Sequence, residues 1–411
     1  MEVERERKLR RGRDRSSGRN WIIWGLVVIL SALAIVAGNR VATQNLNLFV
    51  EDGSGNYKGT VTRILEAAPP ELAGDPFVED IGSNSARTIY FKAEVKAGPH
   101  KGETIIAEQV IDERYINSQY LKEVEAGDSV LLYMNEGLPG EGDTWYFSDY
   151  YRFDKIVVLG LIFVALVLLL GRWKGVNTLI SMIFTLLFVF LVFVPAVMSG
   201  ENAYLAAIIT CLYTVVMTLL LVIGPGRKTF ATIIGCVGGT AIAALCTSLM
   251  KGILRLTGFL NDESVYLTLL NPDKPLDLTA IIFAAILIGA IGAIMDVAMD
   301  IASALYELCE HVPDITFQKL FQSGMSIGRD IMGTMANTLV LAYIGSSLSS
   351  IMLLLTYSTS VLHLLNREVI VVECLQALIG SLAILLTIPL TVLACGALYL
   401  GQGSRGRRLS V

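Results

Sequence analysis

The chain has 411 residues, 54% of them hydrophobic and 17% charged, with a mean hydropathy of +0.60. An average soluble protein is roughly a quarter charged, and here apolar runs reach about twenty residues, enough to cross a hydrocarbon core of roughly 30 Å. That excludes a cytosolic globular enzyme, a collagen-like chain and a disordered tail. The net charge of −5 is unevenly placed: residues 1–20 hold eight basic and four acidic groups, and residues 39–150 hold nine and nineteen. So acidic a polar segment disfavours nucleic acid, which requires positive surface.

In chain order, a basic tail (1–20) precedes a first span at 21–38. At eighteen residues this span exceeds a typical signal-peptide core, and no small-x-small cleavage site follows, so it reads as a retained anchor. Residues 39–152 then form a segment outside the membrane. Its stretches Ala86–Lys96, Glu103–Ile111, Ser129–Met134 and Thr144–Tyr151 are rich in β-branched and aromatic residues. Gly98-Pro99, Gly102, Gly127-Asp128 and Gly142-Asp143 punctuate them as turns. The spacing predicts a small all-β domain, an OB-like barrel or sandwich. Gly53–Gly55 and neighbours read as a linker, and Ala67–Ser85 as a loop. The acids Asp75, Glu79 and Asp80 lack the alternating ligands and turn glycine of a calcium loop and read as solvated surface. His100 reads as a turn residue.

Seven further apolar stretches follow, at 156–171, 176–198, 203–224, 229–250, 278–302, 331–356 and 370–400. The expected fold is a polytopic α-helical membrane protein of about eight transmembrane helices, with the β-domain inserted after the first. Residues 153–400 form its seven-helix bundle and 401–411 a second basic tail. Orientation follows Lys and Arg: with the N-terminus cytoplasmic, inside segments hold 17 and short outside loops only 4 (Lys251, Arg255, Lys274, Arg367). Both termini are therefore expected in the cytoplasm. Between the sixth and seventh of the eight spans, Phe317, Leu320 and Phe321 share a helical face and suggest a short interfacial helix. Gly235, Gly238 and Gly239 read as a packing seam, and Pro195 and Pro389 as helix ends or kinks. Five of the six cysteines fall in spans, with no metal-ligand spacing, so neither a metal site nor a disulfide framework is implied.

The strongest chemical signal is Gly289-Ala-Ile-Gly292-Ala-Ile-Met-Asp296-Val-Ala-Met-Asp300-Ile-Ala-Ser303. On a helix Asp296, Asp300, Ser303 and Glu307 line one face, while Gly289 and Gly292 permit close helix approach. The seventh span opens with Arg329-Asp330-Ile-Met-Gly333-Thr334, then Asn337-Thr338, and Asp330, Thr334, Asn337 and Thr338 again share a face. Gly333 is small enough for tight packing. Two polar stripes thus start at one membrane depth on consecutive helices, with Asn337 expected opposite Asp296. Ionisable groups inside a membrane are costly and face a bundle interior or a wet cavity. Two carboxylates one turn apart also hold their protons unequally. This makes Asp296, Asp300 and Asp330, with Arg329, Thr334, Asn337 and Thr338, candidates for a proton or cation relay. The alternative is that Asp300, Glu307 and Asp330 are wet boundary residues and Arg329 a fastener. Glu373 and Gln376 read as wet residues at the start of the last span.

The run GAIMDVAMDIASALYE followed by SGMSIGRDIMGTMANTLVLAYIGSSL resembles the YibE/F-like family of bacterial multi-pass membrane proteins, and the order of parts is similar. The resemblance implies a bacterial plasma-membrane location but no substrate or reaction. The layout of a span, an outside domain and a bundle with a G-x-x-x-D helix is also similar to half of a proton-driven RND or SecDF-type transporter. Seven spans follow the domain here, though, where such a half has five.

Two functions compete. The first is a proton- or cation-coupled transporter or exporter component, acting on an unidentified small solute or ion through the aspartate relay. The second is a non-transporting envelope scaffold whose β-domain binds a protein partner. Both permit a homo-oligomer. No enzyme and no cofactor are expected: H-E-x-x-H and G-x-S-x-G are missing, and His100, His311 and His363 are scattered.

Overall fold

The computed structural model describes residues 2–43, 55–66, 86–112, 122–135, 144–260, 262–269, 275–312, 314–357 and 360–400. The Asp75, Glu79 and Asp80 loop, the Gly142-Asp143 turn and the Arg405–Arg408 tail lie outside the described residues, as do the side chains of the 1–20 tail. The chain divides into two compact units, Leu48–Leu166 and the remainder.

The first unit holds five strands: β1 (Asn56–Leu65), β2 (Ala86–Val95), β3 (Thr104–Asp112), β4 (Ser129–Asn135) and β5 (Thr144–Tyr150). They close into a barrel in the order β1-β2-β3-β5-β4, every pair antiparallel except β3–β5. Closure leaves no free edge, and five strands is the number of an OB-type barrel. Phe91, Ala93, Val95, Ala107, Val130 and Leu132 are fully buried inside. The expected strands correspond to β2–β5. The closing strand β1, paired to both β2 and β4, was not foreseen. Its Gly59 sits where a Cβ would come within 2.5 Å of Leu132 Cδ1, so the glycine that obscures the strand in the sequence is what lets it close the core. Gly98, Gly102 and Gly127 all adopt positive φ in turns, as expected of turn glycines. At the base, Lys58 Nζ bonds Asp154 Oδ2 at 2.5 Å and lies 4.1 Å from the Tyr151 ring centroid. That hydrogen bond raises the Lys58 pKa above its ordinary value.

The remainder of the chain is mostly helical: α1 (Glu2–Ala42), α2 (Phe153–Phe188) continued by a wide turn at Val189–Phe193, α3 (Val194–Met198), α4 (Ala203–Val222), α5 (Arg227–Ile253), α6 (Asp262–Leu269), α7 (Leu278–His311), α8 (Phe317–Ser346), α9 (Leu348–Tyr357), α10 (Val361–Leu365) and α11 (Glu368–Leu400). Among the described residues six helical stretches are long and apolar enough to cross a membrane, or seven if α8 and α9, bent by 62°, make one span. Phe153–Met198 is counted once there, yet its backbone leaves helical geometry at Arg172 (φ 47, ψ −130). A Cβ on Gly175 would come within 2.4 Å of the Val167 carbonyl oxygen. Residues eight apart in a straight helix are about 12 Å apart, so the run turns back on itself at Arg172. The short interfacial helix expected around Phe317–Phe321 is instead the first turns of α8. Leu320 there is fully buried, and a Cβ at Gly396 would strike the Phe317 ring at 2.4 Å.

α11 is the axis of the bundle, packed against α5, α7 and α8. Glycines set these contacts. On α5, a Cβ at Gly235 or Gly239 would strike the hydroxyls of Thr391 and Thr387, which fulfils the seam expected there. On α8, Gly324 and Gly328 do the same against Val392 and Ile388. Such small-xxx-small faces let backbones approach where lipid removes the hydrophobic incentive. Pro389 lies within α11 without ending it. At the start of α11, the Glu368 carboxylate accepts from Thr257 N, Thr257 Oγ1 and Gly258 N, each at 2.7 Å, tying the α5–α6 connection to α11.

Candidate functional site

α7 begins at Asp277, whose side chain accepts from the amides of Thr279 and Ala280. Burial works against ionisation here. The hydrogen bonds from Thr279 and Ala280 and the charge of Lys251 prevail, and the Asp277 pKa lies below its ordinary value. Beyond this cap α7 is apolar on most of its circumference and buried there, with Ile286, Ala290, Ile294, Val297, Ala298 and Ile301 at or near zero exposure. One narrow strip stays open: Gly289, Gly292, Asp296, Asp300 and Glu307 are exposed in the single chain and Ser303 half-buried. Their spacing of three and four residues keeps them in line. The expected acidic stripe is therefore the open side of an otherwise enclosed helix. Asp300 follows Asp296 by one turn on the same side, and Cys236 of α5 lies within electrostatic reach of Asp296. Ser303 Oγ returns to Met299 O at 2.6 Å.

α8 is arranged differently. Its Thr316 cap accepts from Lys319 N, and its buried line is Leu320, Gly324 and Gly328 against α11. Nine residues from Gly328, about half a turn round the helix, stands Asn337. Arg329, Asp330, Thr334, Asn337 and Thr338 are all exposed. Arg329 Nε, Thr334 Oγ1 and Thr338 Oγ1 return to carbonyls of their own helix at 3.3, 2.9 and 2.9 Å. Among the described residues no hydrogen bond or ion pair joins this stripe to Asp296 or Asp300. Asn337 is thus not hydrogen-bonded to Asp296: α8 spends its small residues on α11, and its polar side lies across the helix from that contact. Nor do the helix contacts expected at Gly292 and Gly333 appear, since a Cβ at either would meet nothing within 4 Å. Gly289 is a contact: a Cβ there would come within 2.6 Å of the Tyr343 hydroxyl.

That contact leads to two residues the sequence reading missed or misjudged. Among the described residues the Tyr343 hydroxyl and Glu373 Oε2 are buried without a hydrogen-bond partner, and Glu373 lies within electrostatic reach of Tyr343. Tyr343 comes from α8 and meets α7 at Gly289, and Glu373 comes from α11. On α7, Gly289 stands seven residues from Asp296, about two turns or roughly 10 Å along the axis. Glu373 had been read as wet; in the fold it is half-buried. The available signal was the heptad spacing from Gly289 to Asp296, which places any partner of Gly289 on the aspartate side. The arrangement is a line of ionisable and hydroxyl groups along one side of α7, with an unsatisfied pair toward the Leu278 end and a carboxylate pair toward the His311 end. Among the described residues no three His, Cys, Asp or Glu side chains gather as metal ligands do.

No curated protein and no solved structure matches the chain. A family model described as YibE/F-like protein matches residues 159–401, which is more than half of the chain and contains both polar stripes, Tyr343 and Glu373, while the barrel lies before it. The chain belongs to the YibE/F-like family.

Proposed function

We propose that this chain is a multi-pass protein of the bacterial plasma membrane that carries a proton or small cation, as a transporter or exporter component, along the open side of α7. Eight spans follow if Phe153–Met198 is two and α8–α9 is one. A 46-residue straight helix would extend about 69 Å, over twice the hydrocarbon thickness, and the reversal at Arg172 divides it. The excess of basic residues on one side then puts both termini in the cytoplasm and the barrel outside.

One observation carries the functional reading: Asp296 stands at the middle of a strip left open on a helix that is otherwise largely packed. A carboxylate is costly in lipid, so the strip must border water or protein. In this orientation Asp296 and Asp300 form the inner half of the path, Tyr343 and Glu373 the outer half. Asp330, Thr334, Asn337 and Thr338 provide a second wet surface at the inner depth, where Arg329 balances their charge. Two carboxylates one turn apart along the open strip suit loading on one side and release toward the other. No covalent chemistry is assigned to these groups. The barrel is left to meet an envelope partner, and a second copy of the chain would close the polar side of α8.

The purified chain in liposomes with an internal pH-sensitive dye should dissipate an imposed pH gradient or couple it to a cation. Glu373→Gln, which removes the outer ionisable group while keeping its size, should slow this about tenfold. If no gradient of protons or common cations is affected, the relay fails and the scaffold reading stands.

A further inference from the structure

Two cavities adjoin along α1 and α4, away from the acidic strip. The first, about 350 Å³, lies among Trp21 and Trp24 of α1, Trp173 and Asn177 of α2, and the end of α4 through Pro225. The second, about 440 Å³, continues between α1 and α4 and, apart from Ser31 and Tyr213, is walled by apolar side chains. Leu220 lines both. From Trp21 to Ala34 the pair follows α1 for thirteen residues, roughly 20 Å, somewhat more than the roughly 15 Å depth of one leaflet of a 30 Å core.

The two ends differ in chemistry. The first cavity is walled by indoles held in fixed relation: Trp21 stands 5.8 Å from Trp24 and 5.6 Å from Trp173 between ring centroids, both edge to face. Trp24 Nε1 donates to Asn177 Oδ1 at 3.1 Å. Its floor is the carbonyl end of α4. Pro225 has no N–H to return to the Leu221 carbonyl, so the negative end of the helix dipole is open to the cavity. Aromatic faces and unpaired carbonyls both attract a cation with attached carbon, an organic ammonium. In the sequence, Arg172 and Lys174 flank Trp173, and Arg227 and Lys228 follow Pro225, which favours a phosphate beside that ammonium. The second cavity accepts only hydrocarbon.

We infer that this pair of cavities is a binding site for one aminophospholipid, its ammonium among Trp21, Trp24 and Trp173, its phosphate toward the basic residues and one acyl chain between α1 and α4. A belt of interfacial tryptophans would explain their depth, but not a cleft at a helix carbonyl end that adjoins an apolar slot through Leu220.

The test is native mass spectrometry of the full chain in detergent, titrated separately with phosphatidylethanolamine, phosphatidylglycerol and glycerophosphoethanolamine, the headgroup without chains. The site predicts one retained phosphatidylethanolamine, bound at least about tenfold more tightly than the other two. Trp21→Ala with Trp173→Ala should remove that preference. Ser31→Phe, which fills the apolar slot and leaves every indole in place, should weaken phosphatidylethanolamine about tenfold as well, so a folding failure of the tryptophan variant would not decide the matter. Equal retention of phosphatidylglycerol would overturn the ammonium assignment. Equal binding of the chainless headgroup, or an unaffected Ser31→Phe protein, would overturn the lipid assignment.

Discussion

α7 and α8 carry nearly the same pattern, a polar side chain every one to four residues with glycines on the same helix, and the fold uses them in opposite ways. α7 is enclosed on all sides but its polar strip, so its acids form the open side of a packed helix. α8 is enclosed on one side, the line of Leu320, Gly324 and Gly328, and its polar residues lie across the helix from that seam. Periodicity assigns residues to a face. What covers the other faces depends on which glycines find a partner, and here Gly324 and Gly328 find α11 while Gly333 finds nothing.

The sharpest way to break this contrast is to fill the seam. A Cβ at Gly328 would come within 2.2 Å of Ile388 Cγ2, so Gly328→Leu should cost about 3 kcal/mol or more and abolish monodisperse protein in size-exclusion chromatography. Gly333→Leu, five residues along the same helix, should elute as the parent does. If the two behave alike, the seam is misassigned. A smaller and more local effect separates wet from packed faces. Asn337→Cys should react with a membrane-impermeant maleimide well above the background of the native cysteines, while Val297→Cys, on the buried side of α7, should not. Equal labelling of both would remove the distinction between strip and core.

The smallest expected effect concerns the caps. Asp277 caps α7 and Thr316 caps α8, but only the first ionises. Because the folded-state pKa of Asp277 is depressed, its contribution is present above the unfolded value near about 3.9 and fades as pH falls through the lower folded value. The side chain is 52% exposed, so screening holds the effect below about 1 kcal/mol. Asp277→Asn keeps a good cap, so its melting temperature should approach that of the parent as pH drops toward 3. The capped Thr316→Ser protein should show no such convergence.

Much of the architecture was legible because it rests on local pattern: the apolar stretches, four of the five strands with their turn glycines, and the strip from Gly289 to Glu307. The rest depends on partners distant in the chain. β1 gives no strand signal in the sequence because Asn56–Leu65 mixes polar residues with Gly59, and only its two neighbours make it a strand. The reversal at Arg172 hides inside an apolar run that no proline interrupts. Tyr343 and Glu373 come near each other only when α8 and α11 pack beside α7. No hydrogen bond joins Asn337 to Asp296 among the described residues, because periodicity puts two stripes at one depth without bonding them, and the glycines of α8 commit its other side to α11.

The central claim is that the open strip of α7 conducts because Asp296 ionises there. Asp296→Asn preserves size and most hydrogen bonding while removing the ionisable group. In liposomes loaded with a pH-sensitive dye, the Asp296→Asn protein should assemble as the parent does and lose at least about tenfold in gradient dissipation, with Asp300→Asn less affected. Parental flux in the Asp296→Asn protein would contradict the account.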